Sequence, residues 1–182
     1  MQTIQQSISE SMKVLEAIES GSLSAEGTRV KVGALLQNEL SARGFMAALG
    51  VSDSFDQLSN EAMAGLLAGL KSAPEIAYDL LVKNIIMSSA ASLSHEENGQ
   101  EDLKANSDKV TKRCLLLAQK LDDGRLNQKV NDVLAAMKAF QADPKQVHDS
   151  HHLWFTFFER WGYQGRQLEK SKPHLETLIA SK

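Results

Sequence analysis

The sequence predicts an all-α fold: residues 1–182 as a single-domain helical bundle of about seven to eight helices. Three observations carry this. Apolar residues recur at spacings of three and four almost throughout. No segment shows the period-two alternation of a strand. The stretches between periodic segments are short and rich in glycine, proline and capping side chains.

In order along the chain, Ile4, Ile8, Met12, Leu15 and Ile18 form one apolar stripe on a first helix, with Gly21 as its stop. Residues 21–27 read as a linker. Thr28 is placed to cap a second helix that runs to about Leu49 and ends at Gly50. Residues 51–59 form a turn-rich connection with room for one helical turn. Ser59 caps a short third helix over 60–71, apolar on most sides through Ala62, Met63, Leu66, Leu67 and Leu70. Such a helix is buried or covers a partner. Gly65 and Gly69 permit close backbone approach, read as tight internal packing ahead of a dimer seam.

Ser72 and Pro74 open a fourth helix, running to about Leu93 and broken by the polar segment 94–100. A fifth spans 101–121 and stops at Asp122-Asp123-Gly124. A sixth spans 125–140. Asp143 and Pro144 open a helix that carries a block of histidines and aromatics and ends at Gly162. The tail is more weakly helical and interrupted at Pro173, with Ser171 placed to cap a last short helix.

Composition narrows the function classes. The 182 residues are 42% hydrophobic with a net charge of −3, enough for one core and too apolar for disorder. A lone cysteine, Cys114, excludes an internal disulfide framework and a multi-cysteine zinc finger. It sits among Leu115, Leu116 and Leu117 and reads as a small buried hydrophobe. A reducing, cytoplasmic setting is expected. No secretory signal pattern opens the chain, and no apolar run approaches the ~20 residues of a membrane span, so no membrane association is expected. Residues 1–100 hold 6 Lys/Arg against 12 Asp/Glu, and residues 101–182 hold 14 against 11. The basic residues of the second half are interleaved with acids, so no nucleic-acid surface is expected.

Sequence signatures of catalysis are missing. There is no G-x-G-x-x-G, no G-K-S/T, no G-x-S-x-G, no H-E-x-x-H and no Glu-x-x-His. Whether the protein is an enzyme stays open, and the sequence identifies no cofactor.

One local feature stands out. Trp154, Phe155, Phe157, Phe158, Trp161 and Tyr163 fall within ten residues, just after His148, His151 and His152. On a helix of about 100° per residue, His148, His152, Phe155 and Glu159 share one strip. Trp154, Phe157, Phe158 and Trp161 occupy a neighbouring arc, with His151 between the two. His148 and His152 are spaced i, i+4, so both imidazoles can reach one metal ion, with a third ligand from His95, His174 or a carboxylate. A His-x-x-x-His pair late in a helical chain of this size is similar to the DinB superfamily of metal-binding four-helix bundles. In that superfamily an earlier histidine on the second helix completes the site; residues 28–49 here hold none. A second chemical reading is a pocket for a flat or apolar ligand, a tetrapyrrole included, lined by His148, His151, His152, Trp154, Phe155, Phe158 and Glu159.

Aromatics at helical spacing are more often core. The leading expectation is therefore a non-catalytic helical interaction or regulatory protein that self-associates as a homo-oligomer or binds a protein partner. The alternative is a ligand- or metal-binding bundle centred on His148, His152 and Glu159.

Overall fold

A computed structural model describes residues 3–53, 55–145 and 151–180. The fold is all-α. Among the described residues there are nine α-helices and no strand: α1 (Ile4–Glu19), α2 (Ala25–Leu35), α3 (Glu39–Val51), α4 (Asn60–Lys71), α5 (Pro74–Glu97), α6 (Glu101–Leu121), α7 (Gly124–Ala142), α8 (His152–Arg160) and α9 (Gly165–Ala180). The chain divides into two compact units, residues 1–81 and 82–182, with the division inside α5.

In the first unit, α1 packs on α3 and α2 on α4. Thr3 and Gln6 cap the start of α1 reciprocally, and Gly21, at φ +71°, takes the left-handed conformation that stops it. The buried line of α1 is Ser7, Ser11, Leu15 and Ile18; Ile4, Ile8 and Met12 of the expected stripe are only half-buried. The serines serve contact rather than polarity. A Cβ on Gly44 of α3 would lie 2.5 Å from the Ser7 Cβ, so the helices meet where both side chains are small. Each hydroxyl is satisfied within α1: Ser7 donates to the Thr3 carbonyl and Ser11 to the Ser7 carbonyl.

The expected single helix from Thr28 to Leu49 is two helices. Ser24, not Thr28, caps α2 by accepting from the Gly27 N–H. Asn38 starts α3 by accepting from the Ser41 N–H. Gly50 lies inside α3 rather than at its end. Thr28 is one turn into α2 and fully buried, and its hydroxyl has no hydrogen-bond partner among the described residues. The connection before α4 holds a 3-10 turn, Phe55–Gln57, and Ser59 caps α4 by accepting from the Ala62 N–H.

The α2–α4 contact is equally close. A Cβ on Gly65 would stand 2.5 Å from the Ala25 carbonyl oxygen and 2.8 Å from the Thr28 Cβ. One on Gly69 would stand 2.6 Å from the Val32 Cβ. These glycines therefore serve internal packing. Ala62, Gly65, Leu66, Gly69 and Leu70 are buried, so this side of the over-apolar helix is covered within the chain. Ser72 caps the end of α4, its hydroxyl donating to the Gly69 carbonyl, instead of opening the next helix.

Helix α5 runs through Glu97, past the expected break, because Ser94, His95, Glu96 and Glu97 are compatible with a solvated last turn. By length and composition it is long and apolar enough to cross a membrane, with an 18-residue window of mean hydropathy 1.2, 56% of it buried in the protein. Its polar residues, such as Lys83 and Asn84, hide this continuity from a search for an unbroken apolar run.

In the second unit, the later part of α5 faces α6 across a polar seam. Ser88 and Thr111 share a buried hydrogen bond of 2.7 Å. Asp108 accepts from the Ser92 hydroxyl at 2.6 Å and from Lys104 Nζ at 3.0 Å. Partial burial works to raise the Asp108 pKa, but these two donors and the Lys104 charge win and lower it. Cys114 is buried, and desolvation pushes its thiol up to about 12, so it is inert as a nucleophile. Helix α9 is continuous through Pro173. The lost backbone donor is outweighed by burial of Leu168, Leu175 and Leu178 on one face. Ser171 bonds back to the Leu168 carbonyl and caps nothing.

Two changes test the α2–α4 contact. Gly65→Ala is expected to lower stability by about 1–3 kcal/mol, although alanine is the better helix former. Gly124→Ala, where an added Cβ meets nothing within 4 Å, is the control and is expected to be neutral or stabilising. Thr28→Val removes a desolvated hydroxyl at nearly constant shape and is expected to gain about 1 kcal/mol. Urea denaturation of each variant reads both signs.

Candidate functional site

The aromatic block folds as the short helix α8 and the turn after it. Trp154, Phe155, Phe157 and Phe158 are buried. A residue of the preceding helix organises them: the Phe140 ring of α7 meets Phe155 edge-on at 5.1 Å and Phe158 at 5.3 Å. Lys83 Nζ of α5 lies over the Phe157 and Trp154 rings at 5.7 and 5.9 Å. Gly162, at φ +64°, reverses the chain after α8. Tyr163 then returns against Phe157 at 5.8 Å, with Trp161 stacked on its other side at 6.5 Å.

The seven candidate residues separate. Trp154 and Phe155 are packed into the cluster. His151 stacks on Phe155 at 6.4 Å. His152 is exposed at the first turn of α8. His148 lies outside the described residues, as does any site that needs it. The wheel reading assumed a helix running on from Pro144. Instead Asp143 ends α7, Pro144 and Lys145 turn, and α8 begins at His152. Among the described residues, no three His, Cys, Asp or Glu side chains gather as a metal centre needs.

Phe158 and Glu159 do come together, at an open cleft of about 550 Å³. Tyr163 and Pro144 form its apolar walls, and the buried Phe140 and Phe158 rings lie behind them. Gln141, Glu159 and Gln164 supply polar groups, and Gly162 and Gly165 leave room where the turn enters α9. Glu159 is the charged residue of this lining, and its carboxylate makes no hydrogen bond or ion pair among the described residues. The Gln141 amide donates to Glu169 at 2.9 Å, which ties α7 to α9 beside the cleft. Burial pushes the Tyr163 phenol up to about 12, so it stays neutral.

Sequence reasoning missed most of this lining. Phe140 is a lone aromatic on its helix and drew no attention. The signal for the rest was the Gly162-Tyr163-Gln164-Gly165 run, an aromatic and an amide between two glycines, which marks a turn with open space beside it.

No characterised protein and no solved structure matches the chain. Over residues 3–178 it matches the family described as Uncharacterised conserved protein UCP020893, and the chain belongs to that family.

Proposed function

We propose that the protein is a non-catalytic helical binding protein that holds a small molecule in the cleft beside Phe158 and Glu159. The cleft itself carries this reading. Its volume, about 550 Å³, falls within the roughly 300–1,000 Å³ usual for ligand pockets. Its lining follows the same pattern, apolar walls with a few convergent polar groups. Binding rather than chemistry is favoured because the described lining offers one carboxylate, Glu159, and a neutral phenol, Tyr163, with no second acid or base beside them.

A second reading, self-association as an interaction or regulatory protein, has its own observation. Leu153 is 81% exposed and Trp161 46%, two large apolar side chains left outside on or beside α8. Sedimentation velocity across a concentration series tests it. A dimer lost in Leu153→Ser/Trp161→Ser supports it, and a monomer throughout overturns it.

The binding reading is tested by ¹⁵N NMR of the full chain titrated with the neutral probe 2-naphthol. Saturable shifts at Gly162, Gln164 and Gly165 are expected. Gly165→Leu adds bulk where a Cβ meets nothing within 4 Å, and is expected to weaken binding about tenfold without loss of fold. Cleft signals that do not move in the wild type, or affinity unchanged in the variant, overturn the reading.

A further inference from the structure

We infer that the cleft selects an organic cation, an ammonium group carried on a compact apolar body. The inference rests on the cleft being a binding site and goes on to the charge of its ligand. The lining sets one exposed carboxylate, Glu159, near the half-buried Tyr163 ring, with the buried Phe140 and Phe158 rings behind. A cation is attracted both by the carboxylate and by the electron-rich Tyr163 ring, whereas an anion is repelled by both.

Three further observations support this. Glu159 is not neutralised by a described neighbour. Two basic groups of the adjacent α9 are engaged elsewhere, Arg166 with Glu97 at 2.6 Å and Lys170 with Glu96 at 3.6 Å. The same aromatic block already accepts a cation, since Lys83 Nζ rests over the Phe157 and Trp154 rings. One feature opposes it: the N-terminus of α9, at Gly165, carries a partial positive charge of about half a unit. That is smaller than the full charge of Glu159. The Gln164 N–H is also already donated to the Gln167 side chain at 3.2 Å.

The test compares three probes of one size class by NMR titration of the full chain: benzyltrimethylammonium, neutral 2-phenylethanol and phenylmethanesulfonate. Benzyltrimethylammonium is expected to bind about fivefold more tightly than 2-phenylethanol, with the sulfonate weakest. In Glu159→Gln the preference for the cation is expected to collapse while 2-phenylethanol binds as before. Because Glu159 is exposed, this variant leaves the fold intact. Equal affinity for cation and neutral probe, tighter binding of the sulfonate, or an unchanged preference in Glu159→Gln overturns the cation assignment while leaving the cleft a binding site. Cleft signals unmoved by all three probes overturn both.

Discussion

Large side chains are scarce in this protein, and the rest of its packing follows from where they are used. It has 6 Phe, 2 Trp and 2 Tyr in 182 residues. Seven of these ten lie in the unit spanning 82–182. The first unit, left with Phe45, Phe55 and Tyr78, closes its helix pairs in another way. Gly44 meets Ser7, Gly65 meets Ala25 and Thr28, and Gly69 meets Val32 at distances that leave no room for an added Cβ. Dispersion contact that bulky chains would supply is recovered by bringing backbones together. The cost of this solution is visible in Thr28, whose hydroxyl is carried into the contact without a partner among the described residues.

The second unit uses the opposite solution and acquires its cleft as a result. Rings prefer edge-to-face or offset contact, so a cluster of them packs at angles and tapers at its edge. Phe140 is the centre, edge-on to both Phe155 and Phe158. Where the cluster ends, the chain turns at Gly162 and returns through Tyr163 into α9. The turn and the half-buried Tyr163 therefore face open space, with the buried Phe140 and Phe158 rings behind them.

The helical class was legible because periodicity is local. Capping was legible where the chemistry was unambiguous, as at Ser59 before α4 and Gly21 after α1. It was misread where two plausible caps lay close together: Ser24 took the role expected of Thr28. The break at residues 36–38 carries no glycine or proline, and only Asn38 marks it. Pro173 was overweighted because one lost hydrogen bond was set against no knowledge of the burial of Leu168, Leu175 and Leu178. The site was the least legible part. Its reading depended on one uninterrupted helix from Pro144, and the structure starts α8 eight residues later. The cleft needs Phe140 and the 162–165 turn to meet α8, and such tertiary meeting leaves no period in the sequence.

Packing explains the buried rings without any ligand, but it does not explain the cleft. The cleft is open to solvent, a concavity of the surface rather than a void in the core. Single exposed apolar side chains such as Leu153 are ordinary on soluble surfaces and need no partner to account for them. A concave site is different when its polar groups converge. Tyr163 stays neutral, Gln141 is held by Glu169, and Glu159 is left with its charge unpaired among the described residues. The proposed cation would meet the Glu159 carboxylate and the neighbouring Tyr163 ring together, which a second copy of the chain meeting Leu153 alone would not do.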